Sequence, residues 1–350
     1  MIPALYLGLI GSQLLLCLAV LRRRPTLGRA LAVHLCLLGS GVLLPGVLVF
    51  SGGLMFLPMQ LVAWLVFLLW PALLLGGAWL LRRAHLRWAL ASGLSGALVA
   101  LVATWGVWVE PHRLEVSHQR IASPKLQEPL RLVLVADLQA ERWGRYERRV
   151  LAEVARQQPD LVLFAGDYLQ PDDMPTWEAL RPALREALVP PCAAARLGCW
   201  AVRGDVDPTP WASLFAVPGA QTVPTSATFD LGPLTLTALD LHASRQGDHE
   251  VPAVAAFHVV LGHAPDFALG APPADLLLAG HVHGGQVRLP GWGPLLTLTD
   301  LPRGWAVGRT DLPGGGTLIV SRGIGLERGD APRLRLFCRP ELVVIDLAPG

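Results

Sequence analysis

Charge is what this chain lacks over long stretches. Residues 2–21, 31–50, 54–81 and 88–109 contain no Asp, Glu, Lys or Arg, and no acidic residue occurs before Glu110. Across all 350 residues only 16% are charged while 52% are hydrophobic, which excludes an ordinary soluble domain. Each charge-free run is long enough to cross the roughly 30 Å hydrocarbon core as a helix, so four transmembrane helices are expected. The third run is longer than needed, which implies tilt or interfacial ends, and Pro71 inside it should kink it. The absence of carboxylates, Lys and Arg inside the runs counts against ion-coupled transport. Gln13, His34 and Gln60 are read as helix-packing contacts. No basic region precedes the first run, so a cleaved signal peptide is not expected.

Arginine supplies the orientation. Arg22, Arg23, Arg24 and Arg29 fall between runs one and two, Arg82, Arg83 and Arg87 between three and four, and the connection Ser51-Gly52-Gly53 is uncharged. The bias of basic residues toward cytoplasmic loops puts both termini, and everything after Val109, outside the cytoplasm. Residues 110–350 carry all 27 acidic residues against 29 − 7 = 22 basic ones, a formal balance of −5. That argues against a nucleic-acid partner, which needs a basic face.

Cysteine is sparse, and its spacing lacks a zinc-ribbon pattern. Cys17 and Cys36 lie in the apolar runs and should simply pack. Cys192 and Cys199, seven apart, are either a disulfide of an oxidising compartment or two thiols. Cys338 is left over. Internal repeats and low-complexity tracts are also missing.

What is present after the apolar runs is an alternation of strand and helix patterns. The expected organisation is a membrane domain at 1–109, a linker at 110–128 with a short strand near Arg113–Ile121, and one domain at 129–350. Strands are expected at Leu130–Ala136, Leu161–Ala165, Cys199–Val202, Leu234–Leu239, Val259–Leu261, Leu276–Ala279, Thr317–Val320 and Leu342–Asp346. Helices are expected at Trp143–Gln158 and Trp177–Leu188. Alternation followed by strand-rich sequence implies an α/β or α+β two-sheet sandwich.

Five of these strands run directly into a potential metal ligand: Asp137, Asp167, Asp205, His263, and the pair His281 and His283. All but Asp137 and His283 are immediately preceded by Gly. A lone Asp after a strand is commonly a turn or cap residue, and a lone His-x-His an ordinary loop pair. Six such residues at the C-terminal ends of strands, the usual binding edge of an α/β sheet, form a constellation.

These blocks resemble the calcineurin-like metallophosphoesterase superfamily, in its bacterial membrane-anchored branch. The carriers are Asp137-Leu138-Gln139, Gly166-Asp167, Gly204-Asp205-Val206-Asp207, Gly262-His263 and Gly280-His281-Val282-His283-Gly284-Gly285-Gln286. Val287-Arg288-Leu289-Pro290, Ser321-Arg322-Gly323-Ile324-Gly325 and Arg339-Pro340-Glu341 add to the likeness. The resemblance implies a metal-dependent phosphoric ester hydrolase of the bacterial inner membrane that activates water with two divalent cations. Asp167 would bridge them, Asp137 and His283 with Gln139 would hold one, and Asp205, His263 and His281 the other. Mixed carboxylate and imidazole donors suit Mn, Fe or Zn better than Mg. Asp167, Asp207 and His242 are the candidate catalytic residues.

Three departures from the family pattern stand out: Gln139 replaces a His, Asp205 an Asn, and Val206 the His that protonates the leaving group. Valine has no proton to give, and general acid catalysis is commonly worth about 10²–10⁴-fold. Arg288 and Arg322 are candidates either for substrate phosphate or for structural ion pairs. Tyr168 either donates a hydrogen bond or packs, and His258, in a strand pattern, is read as a core or edge residue. The implied substrate is a phosphodiester or pyrophosphate, a phosphorylated small molecule or lipid-linked compound of the envelope. The competing readings are a degenerate domain that binds metal or phosphate without turnover, and a transporter or sensor.

Overall fold

A computed structural model describes residues 2–50, 56–297 and 299–350; the uncharged Ser51-Gly52-Gly53 connection lies outside them. The chain divides into two compact units, Met1–Val109 with Arg328–Arg333, and Glu110–Glu327 with Leu334–Gly350.

The first unit contains α1 (Ile2–Arg23), α2 (Leu27–Phe50), α3 (Phe56–Trp64), α4 (Trp70–Leu81) and α5 (Leu86–Thr104). A π-helical turn, Leu65–Leu69, joins α3 to α4, giving four helices long and apolar enough to cross a membrane. Pro71 stands just after that turn, in the first turn of α4, so the π geometry absorbs the backbone donor that proline lacks. The second and fourth helices begin before the charge-free runs because Arg29 and Arg87 occupy their first turns. Charge marks where the hydrocarbon would start, not where the helix does. Tyr6, Ile10, Leu14, Cys17 and Leu21 make one buried stripe of α1 at helical spacing. Gln13 accepts from Ser40 Oγ at 2.6 Å and donates to Cys36 O at 3.3 Å, and His34 Nδ1 meets Ala30 O.

The second unit is two six-stranded sheets facing each other. One has the order β1 (Glu115–Ser123), β14 (Glu341–Pro349), β2 (Leu130–Val135), β3 (Leu161–Phe164), β4 (Cys199–Val202), β5 (Ala220–Val223). The other runs β12 (Gly308–Asp311), β13 (Thr317–Val320), β9 (Leu276–Ala279), β8 (His258–Leu261), β7 (Thr235–Ala238), β6 (Ala227–Asp230). Strands β2 to β5 are parallel, as are β7, β8, β9 and β13. A two-residue ladder, β10 (Arg288–Leu289) with β11 (Gly293–Pro294), stands apart.

Alternation along each strand divides the apolar residues between layers. Leu132, Leu134, Leu161 and Leu163 meet Leu236, Val259, Leu261 and Leu278 between the sheets. Val133, Val135, Val162 and Phe164 face α6 (Arg145–Arg156) and α7 (Met174–Ala194). Central strands buried on both faces therefore read as unbroken apolar runs, and those were legible. Strands β5, β6 and β12 were not expected; they are mixed in character and half exposed. Helix α7 outruns the expected 177–188: Asp173 caps its start by accepting from Thr176 N, and Pro190 and Pro191 fall inside its end. A disulfide joins Cys192 on α7 to Cys199 on β4. Strand β1, within 110–128, pairs parallel with β14.

Candidate metal centre

The parallel strands of both sheets end at one edge, and the turns leaving them carry the candidate ligands. These turns are tight. Asp137, Gln139, Asp167, His281 and His283 all adopt positive φ, between 38° and 68°, a region that side chains other than glycine seldom occupy. Such conformations persist where surrounding structure over-determines them. At Gly204 the constraint is space: a Cβ would lie 2.0 Å from Asp167 Oδ1 and 2.4 Å from Asp167 N. The β3 and β4 turns can touch only because that residue is glycine.

The six side chains meet in two groups whose ligand atoms lie within 4.8 Å of one another: Asp137, Asp167 and His283, and Asp205, His263 and His281. Asp137, Asp167 and Asp205 come from the first sheet and the three histidines from the second. His263 stands at the junction. Its Nδ1 lies 2.7 Å from Ala165 O, while Nε2 lies 3.3 Å from Asp205 Oδ1 and 3.6 Å from Asp167 Oδ2. His281 Nδ1 is 3.7 Å from Asp205 Oδ2, and the His281 backbone N–H donates to both oxygens of Asp137.

Burial pushes the Asp137 carboxyl up to about 7 against the charge of His263, and drives Asp167 well above the usual range. Burial also raises Asp205, but the hydrogen bond and charge of His263 outweigh it and hold that carboxyl well below normal. Burial disfavours the His263 charge, yet Asp167, Asp205 and Asp137 raise it to about 10. Burial and His263 together press His281 down to about 4, and burial with the Arg335 charge presses His283 well below normal. A cluster in which burial raises two carboxyls, and carboxylates in turn raise an imidazole, is short of positive charge.

Each of the two groups could hold a metal ion. Both ring nitrogens of His283 are buried without a hydrogen-bond partner among the described residues, a costly state for a dry imidazole. A cation bound by one of those lone pairs removes part of that cost.

The other candidates fall into different places. Gln139 is fully buried, and its amide nitrogen lies 3.3 Å from both Asp167 Oδ2 and Glu327 Oε2. Asp207 is buried beneath the centre, where its carboxylate accepts from the backbone N–H of Asp167, Tyr168 and Gly204. His242 is exposed on the short helix α8 (Leu241–Ser244), with its ring against Gln246. Val206 contributes its backbone N–H to Asp167 Oδ1 at 3.1 Å. Tyr168 Oη donates to Val202 O, Arg322 pairs with Glu341 and Glu115, and His258 is buried against Thr237.

Three residues went unnoticed in the sequence. Arg245 donates from Nη2 to Asp205 Oδ2 at 2.6 Å. It lies three residues after His242, a spacing that could have drawn attention to it. Glu327 faces Gln139. Arg335, completely buried, donates to the carbonyls of Arg322, Gly323, Gly325 and Cys338. That clamps the 322–325 turn, whose Gly325 N–H bonds Asp137 O.

The two facing sheets and the paired carboxylate–histidine groups at one edge are consistent with a metallophosphoesterase. Known proteins agree. The chain is 29% identical over 283 residues to the metallophosphoesterase YkuE of Bacillus subtilis (strain 168), covering 73% of this chain and 95% of that protein. It is 27% identical over 257 residues to the phosphodiesterase YaeI of Escherichia coli (strain K12), covering 69% and 90%. No family model matches. These similarities support the calcineurin-like metallophosphoesterase superfamily and a metal-dependent phosphoric ester hydrolase.

Proposed function

We propose that this hydrolase cleaves phosphodiester or pyrophosphate bonds of an envelope or lipid-linked substrate, using two divalent cations. The observation that carries the reading is the convergence of six strand-end side chains into two three-ligand groups. Asp137, Asp167 and His283 would hold one cation and Asp205, His263 and His281 the other, with Asp167 shared. When bound, such a pair activates water and stabilises charge building on the phosphoryl group.

The chain's own residues do the positioning. In the tautomer that donates Nδ1–H to Ala165 O, His263 keeps its Nε2 lone pair toward Asp205 and Asp167, the usual orientation device for a ligating imidazole. Asp207 acts through the backbone, holding the Asp167 and Gly204 turns in register; this is a positioning role rather than the catalytic one expected. Gln139 steadies Asp167 through its amide. Arg245 brings a guanidinium to the rim beside Asp205, where it can meet phosphate oxygens. Val206 leaves no proton donor at its position, so good leaving groups are favoured. Exposure to an oxidising, extracytoplasmic compartment is supported by the arginine distribution and by the Cys192–Cys199 pair.

A second reading has its own observation: Gln139 and Val206 replace two functional histidines, as in a domain that binds metal or phosphate without turnover. Metal content and hydrolysis of an aryl phosphodiester by the purified full chain separate the two. Turnover that is lost on chelation, restored by manganese and abolished in Asp167→Ala is expected. Bound metal with no hydrolysis of any diester or pyrophosphate would leave the binding domain.

A further inference from the structure

Directly after the His283 turn the chain forms a ribbon that leaves large apolar side chains in the open. Leu289, Trp292, Leu295 and Leu296 are exposed, Trp292 at 67% of its full area. The ribbon is tied to a second segment: Val287 bridges Leu336, Arg288 N–H donates to Leu336 O, and Leu336 N–H donates to Gln286 O. Phe337, next along, is 63% exposed and holds φ at 52°, an outlier for a bulky residue. These five account for most of the eight exposed large apolar side chains described in the second unit. Apolar surface gathered in this way marks an interaction site.

Its charge is one-sided. Residues 287–296 and 334–340 contain no acidic residue, while Arg339 is exposed and Arg288 half-buried; Arg335 is the buried clamp and adds nothing to the surface. Arg303 sets its guanidinium carbon 5.6 Å from the Trp292 ring centroid. The domain as a whole is acidic, so this ribbon is a local reversal. Exposed Trp and Leu beside the exposed Arg303 and Arg339 match the chemistry of a headgroup boundary over an anionic leaflet. The ribbon is also built onto the centre. Gly285, two residues after His283, has φ +74°, and a Cβ there would lie 2.4 Å from Leu296 O.

We propose that the 287–296 ribbon and Phe337 form a contact with an anionic lipid surface, holding the mouth of the metal centre against the leaflet that presents the substrate. The proposal rests on the reading of the chain as a membrane protein and is independent of whether the centre turns over.

The test is photolabelling of the full chain in nanodiscs whose acyl chains carry a diazirine, with label sites mapped by mass spectrometry. With phosphatidylglycerol, label is expected at 287–296 and 337 as well as in the apolar helices. It should fall at least fivefold at the ribbon in phosphatidylcholine. The Trp292→Ser, Phe337→Ser double variant should lose ribbon label at least fivefold while helix labelling, the internal control, is unchanged. Labelling confined to the helices of a folded wild-type chain would overturn the proposal, as would equal ribbon labelling in both lipids. A matching kinetic arm compares substrates. The double variant should raise KM about tenfold for a vesicle-borne phosphodiester and leave a soluble aryl phosphodiester unaffected.

Discussion

Two residues decide how the centre would work, and each has a separable readout. Val206 stands beside Asp205 and offers the site only a backbone N–H. Without an acid, the rate should depend steeply on leaving-group acidity, with aryl phosphodiesters cleaved far faster than alkyl ones. Val206→His should narrow that gap by 10-fold or more, within the roughly 10²–10⁴-fold range of general acid catalysis; an unchanged aryl-to-alkyl ratio would remove the leaving-group argument. Gln139 works differently, since its amide lies between two carboxylates. Gln139→His should lower the manganese concentration for half-maximal activity by about tenfold, the lower end of what ligand-shell changes produce. Titration of activity against free metal reads this directly. The strand-end Asp and His residues were legible because they follow apolar strand runs, four of them directly after a glycine. Arg245 and Glu327 were not, because their partners lie 40 and 188 residues away in the chain.

Among the elements, the turns after the strands set precision, and two buried carboxylates hold them. Asp207→Ala leaves three backbone donors without their acceptor, at about 1–3 kcal/mol for each buried group left unsatisfied. Lower thermal stability and roughly tenfold weaker manganese binding should appear together. Loss of kcat alone, with stability and metal affinity intact, would instead restore the catalytic role expected for Asp207. Glu341, at the start of β14, accepts from Arg322 Nε at 3.0 Å and from its backbone N–H at 3.1 Å. Burial raises its pKa, but the Arg322 hydrogen bond and charge outweigh it, leaving the folded value below normal. A depressed folded pKa stabilises above the unfolded value of about 4.3 and stops doing so as pH falls through the folded value. Glu341→Gln should therefore cost about 3 kcal/mol near neutral pH, as for a broken buried pair. The difference from wild type should shrink below about pH 4, as followed by unfolding at a series of pH values. A constant difference across that range would assign the loss to packing.

At the scale of the whole molecule, the prediction concerns sidedness. Seven arginines cluster at the ends of the apolar helices and the turns joining them, and a Cys192–Cys199 disulfide suits an oxidising compartment. Both support the proposed extracytoplasmic placement of the hydrolase unit. A reporter fused after Gly350 should behave as exported; a cytoplasmic signal would reverse the topology and remove the envelope substrate with it. The four apolar helices were legible because lipid-compatible length and absence of charge are properties of contiguous sequence. Their ends were less so, since Arg29 and Arg87 lie inside helices whose start charge alone placed later.

The sequence by itself determined the helical apolar region, the buried central strands and the six residues that end them. Each rests on local pattern: run length, alternation, and glycine before a polar residue. It could not determine the half-exposed strands β5, β6 and β12, whose mixed composition has no periodic signal until a neighbouring strand supplies hydrogen bonds. Nor could it choose between disulfide and thiols for Cys192 and Cys199, which depends on α7 lying against β4. Only the tertiary structure decided that Asp207 braces backbone, that Arg322 pairs with Glu341, and that Arg245 reaches Asp205. Those outcomes depend on which strand ends meet at one edge, and that is set by packing two sheets over a common core.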